Sequence, residues 1–340
     1  MEINEIDAFL KSKFNASYRL ELIEGSASDR KNFKVILENN KFILTQGVNI
    51  KENKTFIAFA NFFSEKGINI PKVISTNKKG DIYLQEYVGD KSLLDYLFKE
   101  GESKFVKILY KESINQLISI QTKGKVGVEK DWCYDFSEFN ALTTLHDLFY
   151  FKNHFLDLLN IPYTRKNLIE DFSSFAKKLE KSKPKTFIHR DFQARNIMVN
   201  NKEPYIIDFQ GGMMGPPVYD LVSLIWQSRA NLSKEFKEEI KAYYFNQFNL
   251  ISKEKFSIND FELQYQLCLI IRQLQTLGAY GFRGIYQKKP QFAISILQST
   301  KNLEALLKLS VMKEFLYLKE IITQINSLTE LQINNIINAK

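Results

Sequence analysis

Residues 187–210 read FIHRDFQARNIMVNNKEPYIIDFQ, and three side chains in this stretch are oxygen donors of the kind phosphoryl transfer needs. His189, Arg190 and Asp191 are followed by Asn196, spelling H-R-D-x-x-x-x-N, and a second apolar burst at 205–207 ends in Asp208. A transferred phosphoryl group carries charge that magnesium neutralises, and magnesium takes hard oxygen ligands such as a carboxylate and an amide carbonyl. Asn196 and Asp208 suit that role. A carboxylate on the loop before the metal-binding amide can orient an acceptor hydroxyl and take its proton, which assigns Asp191 as the base. The alternative is a pseudokinase in which Asp191 and Asp208 only stabilise loops. His189 reads as structural in either case, its ring bonding nearby backbone.

Short strands must present these residues. Residues 186–189 and 197–199 are apolar runs flanking a polar loop, and Asn200-Asn201-Lys202-Glu203-Pro204 turns the chain into the run that ends at Asp208. Upstream, a leading amphipathic helix is expected within residues 1–20. Residues 18–23 and 33–37 then read as strands around Gly25-Ser26-Ala27-Ser28-Asp29-Arg30-Lys31-Asn32. Small residues in such a turn let backbone N–H groups approach an anion, so Ser26, Ser28, Arg30 and Lys31 are candidate nucleotide contacts. An ordinary hairpin is the competing reading. No G-x-x-x-x-G-K-[ST] cradle occurs in the chain.

A third strand at 41–45 and a helix at 49–66 follow, then strands at 71–75 and 81–87. The last runs through Val88-Gly89-Asp90 into a helix that begins near Ser92. If that connector is a hinge, the backbone at Glu86 and Val88 faces an adenine, which needs one acceptor and one donor; a plain strand-to-helix connection is the alternative. Beyond Ser92 the periodicity is helical, at 105–120, 137–159, 168–179, 235–248, 261–280, 292–309 and 312–326. The aromatic residues at 137–159 are assigned to packing. A loop dense in Gly and Pro at 211–217 is placed to wrap the site, and Asp220, in the first turn of the next helix, reads as a buried anchor.

With 340 residues, 44% of them hydrophobic, the chain has ample material for a core. No apolar run approaches the roughly 18 residues of a membrane span, and the acidic, amphipathic N-terminus lacks a signal-peptide segment, so a cytoplasmic protein is expected. Cys133 and Cys268 have no metal or redox spacing. The net charge of +8 comes from lysines scattered along the chain, without the basic run that tracks nucleic acid. A small anionic ligand such as ATP accounts for it.

The motifs H-R-D-F-Q-A-R-N and I-I-D-F-Q, with Gly215-Pro216 and Tyr219-Asp220-Leu221-Val222-Ser223-Leu224 after them, resemble the aminoglycoside phosphotransferase superfamily. Within it the chain looks most like the kinases that phosphorylate N-acetylmuramate and N-acetylglucosamine at C1. Gly25 to Arg30, Tyr134-Asp135 and Arg272-Gln273-Leu274-Gln275-Thr276-Leu277-Gly278 carry that finer likeness. The resemblance implies an α+β, two-lobed kinase-like fold, with a small antiparallel β-sheet lobe at 1–88 that binds nucleotide and a larger helical lobe at 89–340. It implies ATP and Mg2+ as cofactors, Asp191 as base, Asn196 and Asp208 as metal ligands, and Glu86 with Val88 at the adenine.

One departure matters. Leu44-Thr45-Gln46-Gly47 offers no lysine where kinases usually place one on the third strand, and Arg30 or Lys31 is the candidate substitute. Gln193 and Arg195, beside the base, are expected to face the acceptor; Arg195 suits the lactyl carboxylate of N-acetylmuramate. A structural pair with Asp208 or Asp220 is its other reading. Other acceptors stay open, among them an aminoglycoside, choline or another sugar. A monomer with a small-molecule partner, and no nucleic-acid or membrane partner, is expected.

Overall fold

The computed structural model describes residues 2–23, 30–38 and 40–328. The chain opens with helix α1 (Glu2–Lys11), strands β1 (Arg19–Ile23), β2 (Lys31–Ile36) and β3 (Lys41–Gln46), helix α2 (Ile50–Glu65), and strands β4 (Val73–Thr76) and β5 (Ile82–Glu86). These strands form one antiparallel sheet in the order β1-β2-β3-β5-β4. Side chains alternate across a strand, and the sheet shows it. Ile82 and Leu84 join Leu44 and Val35 in a cluster with Ile6, Phe9 and Leu10 of α1, whereas Tyr83 stacks on Phe56 of α2 with centroids 5.0 Å apart. The two sheet faces therefore have different jobs: one is closed by α1, and the other meets α2. Lys31 opens β2, paired with Gln46, instead of lying in the preceding turn.

The remainder is mainly helical: α3 (Leu93–Glu100), α4 (Lys104–Gly127), α5 (Ala141–Phe151), α6 (Arg165–Lys181), α7 (Val218–Ile225), α8 (Lys234–Ile251), α9 (Ile258–Tyr280), α10 (Pro290–Leu307) and α11 (Leu316–Ser327). Ser92 caps α3 in a reciprocal capping box with Asp95, which fixes where the helix begins after the connector. Helix α9 has buried residues on all sides, from Leu267 to Leu274 without a break, as expected of a helix at the centre of a lobe. None of the helices is long and apolar enough to cross a membrane, among the described residues.

Two small ribbons contribute side chains to the larger buried cluster, which also takes in Phe56 and Phe59 of α2. Strand β6 (Thr186–Ile188) pairs with β9 (Met213–Gly215), and β7 (Ile197–Asn200) pairs with β8 (Glu203–Ile206). The breaker-rich stretch at 211–217 is thus partly a strand. Its glycines explain why: a Cβ on Gly212 would stand 2.2 Å from the Phe187 ring, and one on Gly215 2.7 Å from Ile188, so only glycine lets this segment lie against β6.

Candidate active site

The loop between β6 and β7 is held from below by Asp220 in the first turn of α7. Its two carboxylate oxygens accept the backbone N–H groups of His189 and Arg190, both at 2.8 Å. Those bonds fix a turn in which Arg190 has φ of +72°, a region costly for a residue with a side chain. Burial raises the pKa of Asp220, and His189 with the two N–H groups opposes the rise. The His189 ring bridges outward: Nδ1 accepts the Asp191 N–H at 3.2 Å, and Nε2 faces the Ile207 carbonyl at 2.9 Å, a pattern met by the Nε2–H tautomer. One histidine so ties the Asp191 loop to the end of β8.

Asp191 projects from that turn into a ring of donors. Arg272 on α9 donates to Oδ1 at 2.7 Å and Gln193 donates to the same oxygen at 2.8 Å. Arg195 donates to Oδ2 at 3.1 Å, and Asn196 Nδ2 reaches both Oδ2 (3.2 Å) and the Asp191 carbonyl (2.9 Å). Burial alone would push the Asp191 carboxyl up, yet Arg195 and Arg272 hold it well below the usual carboxylate range. The charged form is the one present.

Asp208 follows β8 and has φ of +64°. Pairing of Ile197 with Ile206, and the bond from the Ile207 N–H to the Asn196 carbonyl at 3.0 Å, bring Asn196 and Asp208 to the same end of the β7–β8 ribbon. Phe209 stacks on Phe56 at 4.7 Å, which keys this end to α2. Across the sheet, Arg30 donates to Asp208 Oδ1 at 2.9 Å and lies 3.8 Å from Glu52 in the first turn of α2. Burial would lower the Arg30 pKa, but the charges of Asp208, Tyr83 and Glu52 raise it overall. Thr45, where a strand lysine would stand, is buried and donates to Asn32 Oδ1.

This donor set fits magnesium. Among the described residues no three His, Cys, Asp or Glu side chains gather to cage an ion, so one carboxylate (Asp208) and one amide oxygen (Asn196) leave the other positions to phosphate and water, the habit of magnesium at a nucleotide. Gln210 donates to Asp208 Oδ1, while its own Oε1 is buried without a partner among the described residues. Asp208 also already binds a cation, the Arg30 guanidinium.

Glu86 ends β5; its N–H is spent on the Lys72 carbonyl and its carboxylate accepts the Lys72 N–H. Val88 is buried in the connector, and Gly89 after it has φ of +106°, where a Cβ would stand 2.8 Å from the Val199 carbonyl. The connector therefore lies hard against β7. Ser26 and Ser28 fall outside the described residues. Tyr280 ends α9. Its pKa is raised by burial, against the pull of Arg195, Arg272 and Arg229 and with the push of Asp191.

Arg195 pairs with Asp191 instead of Asp208 or Asp220. Arg272, Glu52 and the Arg190–Asp147 pair at 2.7 Å are contacts that motif reading did not assign to the site. The available signal for Arg272 was a lone charge inside the most apolar turn of a helix, flanked by Ile270, Ile271 and Leu274. A charge placed there needs a buried partner.

Comparison with known proteins agrees with this architecture. The family model described as "Phosphotransferase enzyme family" matches residues 19–252, more than half of the chain. An N-acetylmuramate/N-acetylglucosamine kinase of Neisseria meningitidis is 24% identical over 180 residues, 52% of each chain. Its counterpart in Pseudomonas aeruginosa is 25% identical over 172 residues, 50% of this chain and 48% of the other. The matched region thus spans about half the length of these relatives. The crystal structure of a choline kinase from Streptococcus pneumoniae superposes with a TM-score of 0.59 at 15% identity, covering 90% of this chain and 100% of that one, a likeness of fold. A match that runs from the first strand of the sheet through α8, and so takes in every residue around Asp191 except those of α9, makes this chain a member of the phosphotransferase enzyme family.

Proposed function

We propose that this protein is an ATP-dependent small-molecule kinase that phosphorylates the C1 hydroxyl of N-acetylmuramate or N-acetylglucosamine in cytoplasmic peptidoglycan recycling. The observation that carries the reading is the convergence of Asp191, Asn196 and Asp208 at one end of paired ribbons, with the Arg195 and Arg272 guanidinium groups on Asp191. Residues 1–88 would hold the nucleotide: the Glu86 carbonyl and Val88 N–H at the adenine, with Arg30, Lys31 and the loop containing Ser26 and Ser28 at the phosphates. Residues 89–340 would supply the catalytic loop and the acceptor site. Asn196 and Asp208 would hold magnesium, which when bound neutralises charge on the phosphates.

In this mechanism Asp191 orients the acceptor hydroxyl and accepts its proton, while Arg272 and Gln193 keep the carboxylate aimed. Arg30, anchored by Glu52, supplies the positive charge that a strand lysine would otherwise bring. The relatives' names support an amino-sugar acceptor.

The test is phosphorus NMR of the protein with Mg-ATP and, in parallel, N-acetylmuramate, N-acetylglucosamine, kanamycin and choline. A sugar 1-phosphate signal that is lost in Asp191→Asn, with a rate fall of about 10²- to 10⁴-fold, is expected. Turnover of kanamycin or choline alone would discard the amino-sugar reading and keep the kinase.

A further inference from the structure

A carboxylate offers about four lone-pair positions, and Asp191 has four side-chain donors on them among the described residues: Arg272 and Gln193 on Oδ1, Arg195 and Asn196 on Oδ2. The Asp191 side chain is still 35% exposed, so an acceptor hydroxyl can reach it, but only in competition with these four donors. A donor that gives way frees a lone pair on Asp191 for the hydroxyl.

The four are not equally free to go. The Arg272 side chain is 7% exposed, and its other terminal nitrogen is fixed to Gln275 at 2.8 Å. Asn196 is tied twice, to Oδ2 and to the Asp191 carbonyl, and Gln193 is buried. Arg195 is 36% exposed, its bond to Asp191 is 3.1 Å long, and its Nε is buried with no acceptor among the described residues. Its guanidinium is both the most accessible donor and the one whose hydrogen-bonding capacity is least used.

We propose that Arg195 is a latch on Asp191 which an anionic acceptor opens: the acceptor's carboxylate draws the guanidinium away, and its hydroxyl takes the position vacated on Oδ2. A guanidinium fork binds a carboxylate through two parallel bonds, more than the single one it makes to Asp191, so the exchange favours a substrate that carries its own acid group. Once Oδ2 is open, the hydroxyl oxygen bonds to the γ-phosphorus of ATP as the bond from that phosphorus to the β,γ-bridging oxygen breaks. ADP leaves with the electron pair, and the hydroxyl proton passes to Asp191 Oδ2. A neutral acceptor with the same hydroxyl reacts only when Arg195 leaves unaided. Arg195 is then a positioning residue that sets specificity through the availability of the base.

This inference rests on the reading of Asp191 as base, and its test separates the two. Initial rates are measured with N-acetylglucosamine, the acceptor without a carboxylate, in the presence and absence of millimolar d-lactate, which supplies the carboxylate in trans. In the wild type lactate should raise kcat for N-acetylglucosamine several-fold. Arg195→Ala, or Arg195→Gln should alanine fail to fold, should already show the higher kcat, gain nothing from lactate, and turn over N-acetylmuramate no faster than N-acetylglucosamine. If Arg195 merely binds the lactyl group, the variant raises KM for N-acetylmuramate alone and leaves kcat for both sugars unchanged, which overturns the latch.

Should neither sugar be phosphorylated, the amino-sugar reading falls, and calorimetry with d-lactate still decides about the latch. Asp191→Asn releases Arg195, so lactate should bind it about fivefold more tightly than it binds the wild type. That gain should be absent when Arg195 is alanine in both members of the comparison. The same gain in both backgrounds, or no lactate binding to Asp191→Asn, overturns the proposal.

Discussion

Asp191 and Asp208 both hold arginine, but the arginines come from different places. Arg272 belongs to α9, packed in the middle of the helical lobe, and its side chain is 7% exposed; it also lies 5.7 Å from the Tyr219 ring centroid. Arg30, 14% exposed, enters from the opposite lobe, 178 positions away in sequence, and the two carboxylates, Asp191 and Asp208, are equally exposed at 35%. The first pair is a scaffold: it lies within the helical lobe and fixes where the Asp191 carboxylate points. The second spans the two lobes, so its strength depends on how they meet and on any other cation that approaches Asp208. The same chemistry serves rigidity in one place and exchange in the other.

Replacing Arg272 should separate the two most clearly. Arg272→Leu leaves the Asp191 charge, on a side chain that is 35% exposed, with Arg195 and two amides, and losing a partly buried, charge-assisted pair of this kind costs about 2 kcal/mol. Chemical denaturation should show a loss of that size, and activity should fall even at saturating ATP. Arg30→Ala removes a pair whose arginine is the more exposed, 14% against 7%, and a smaller stability change of about 1 kcal/mol is expected. Its larger effect should be on nucleotide: KM for ATP should rise about tenfold or more, as loss of one charge-assisted contact predicts, with a partial return in Arg30→Lys. Equal losses of stability from both variants would end the distinction between scaffold and exchangeable pair.

Why the carboxylates were readable in sequence and their arginine partners were not follows from distance along the chain. Asp191, Asn196 and Asp208 fall within a loop and the hairpin after it, where the length of each apolar run dictates pairing, and His189 and Asp220 fall within the same short span. Two helix starts were legible for the same local reasons, Asn49 before α2 and Ser92 before α3, whereas the helix expected at 105–120 runs on to Gly127 and the one expected at 137–159 is an α-helix only from Ala141 to Phe151. Arg272 lies 81 positions from Asp191. Helical periodicity marks it as inward-facing but cannot say which loop meets that turn of α9. Strand β9 was hidden differently: Gly212 and Gly215 read as breakers, whereas here they make room for the Phe187 and Ile188 side chains. Local pattern reports backbone preference, and only the packed neighbour decides its use.

A third carboxylate sharpens the comparison because one of its partners titrates. Asp147 on α5 is buried and accepts from Arg190 at 2.7 Å, with the His146 ring 3.4 Å away. Burial would raise the Asp147 pKa, but Arg190 and His146 lower it, so its carboxylate stays charged from neutral pH well into acid. The hydrogen bond to Asp147 raises the His146 pKa above its ordinary value of 6.5, against a smaller contrary effect of burial. A raised folded-state pKa means stability that is fully present below the unfolded value and lost as pH rises through the folded one. The stability difference between wild type and His146→Gln should therefore be largest near pH 5.5 and shrink toward pH 8.5, in denaturation curves at each pH. Because the His146 side chain is 56% exposed, this should be the smallest of the effects. A difference that stayed flat across this range would mean that Asp147 is held by Arg190 alone, by a charge that does not titrate there.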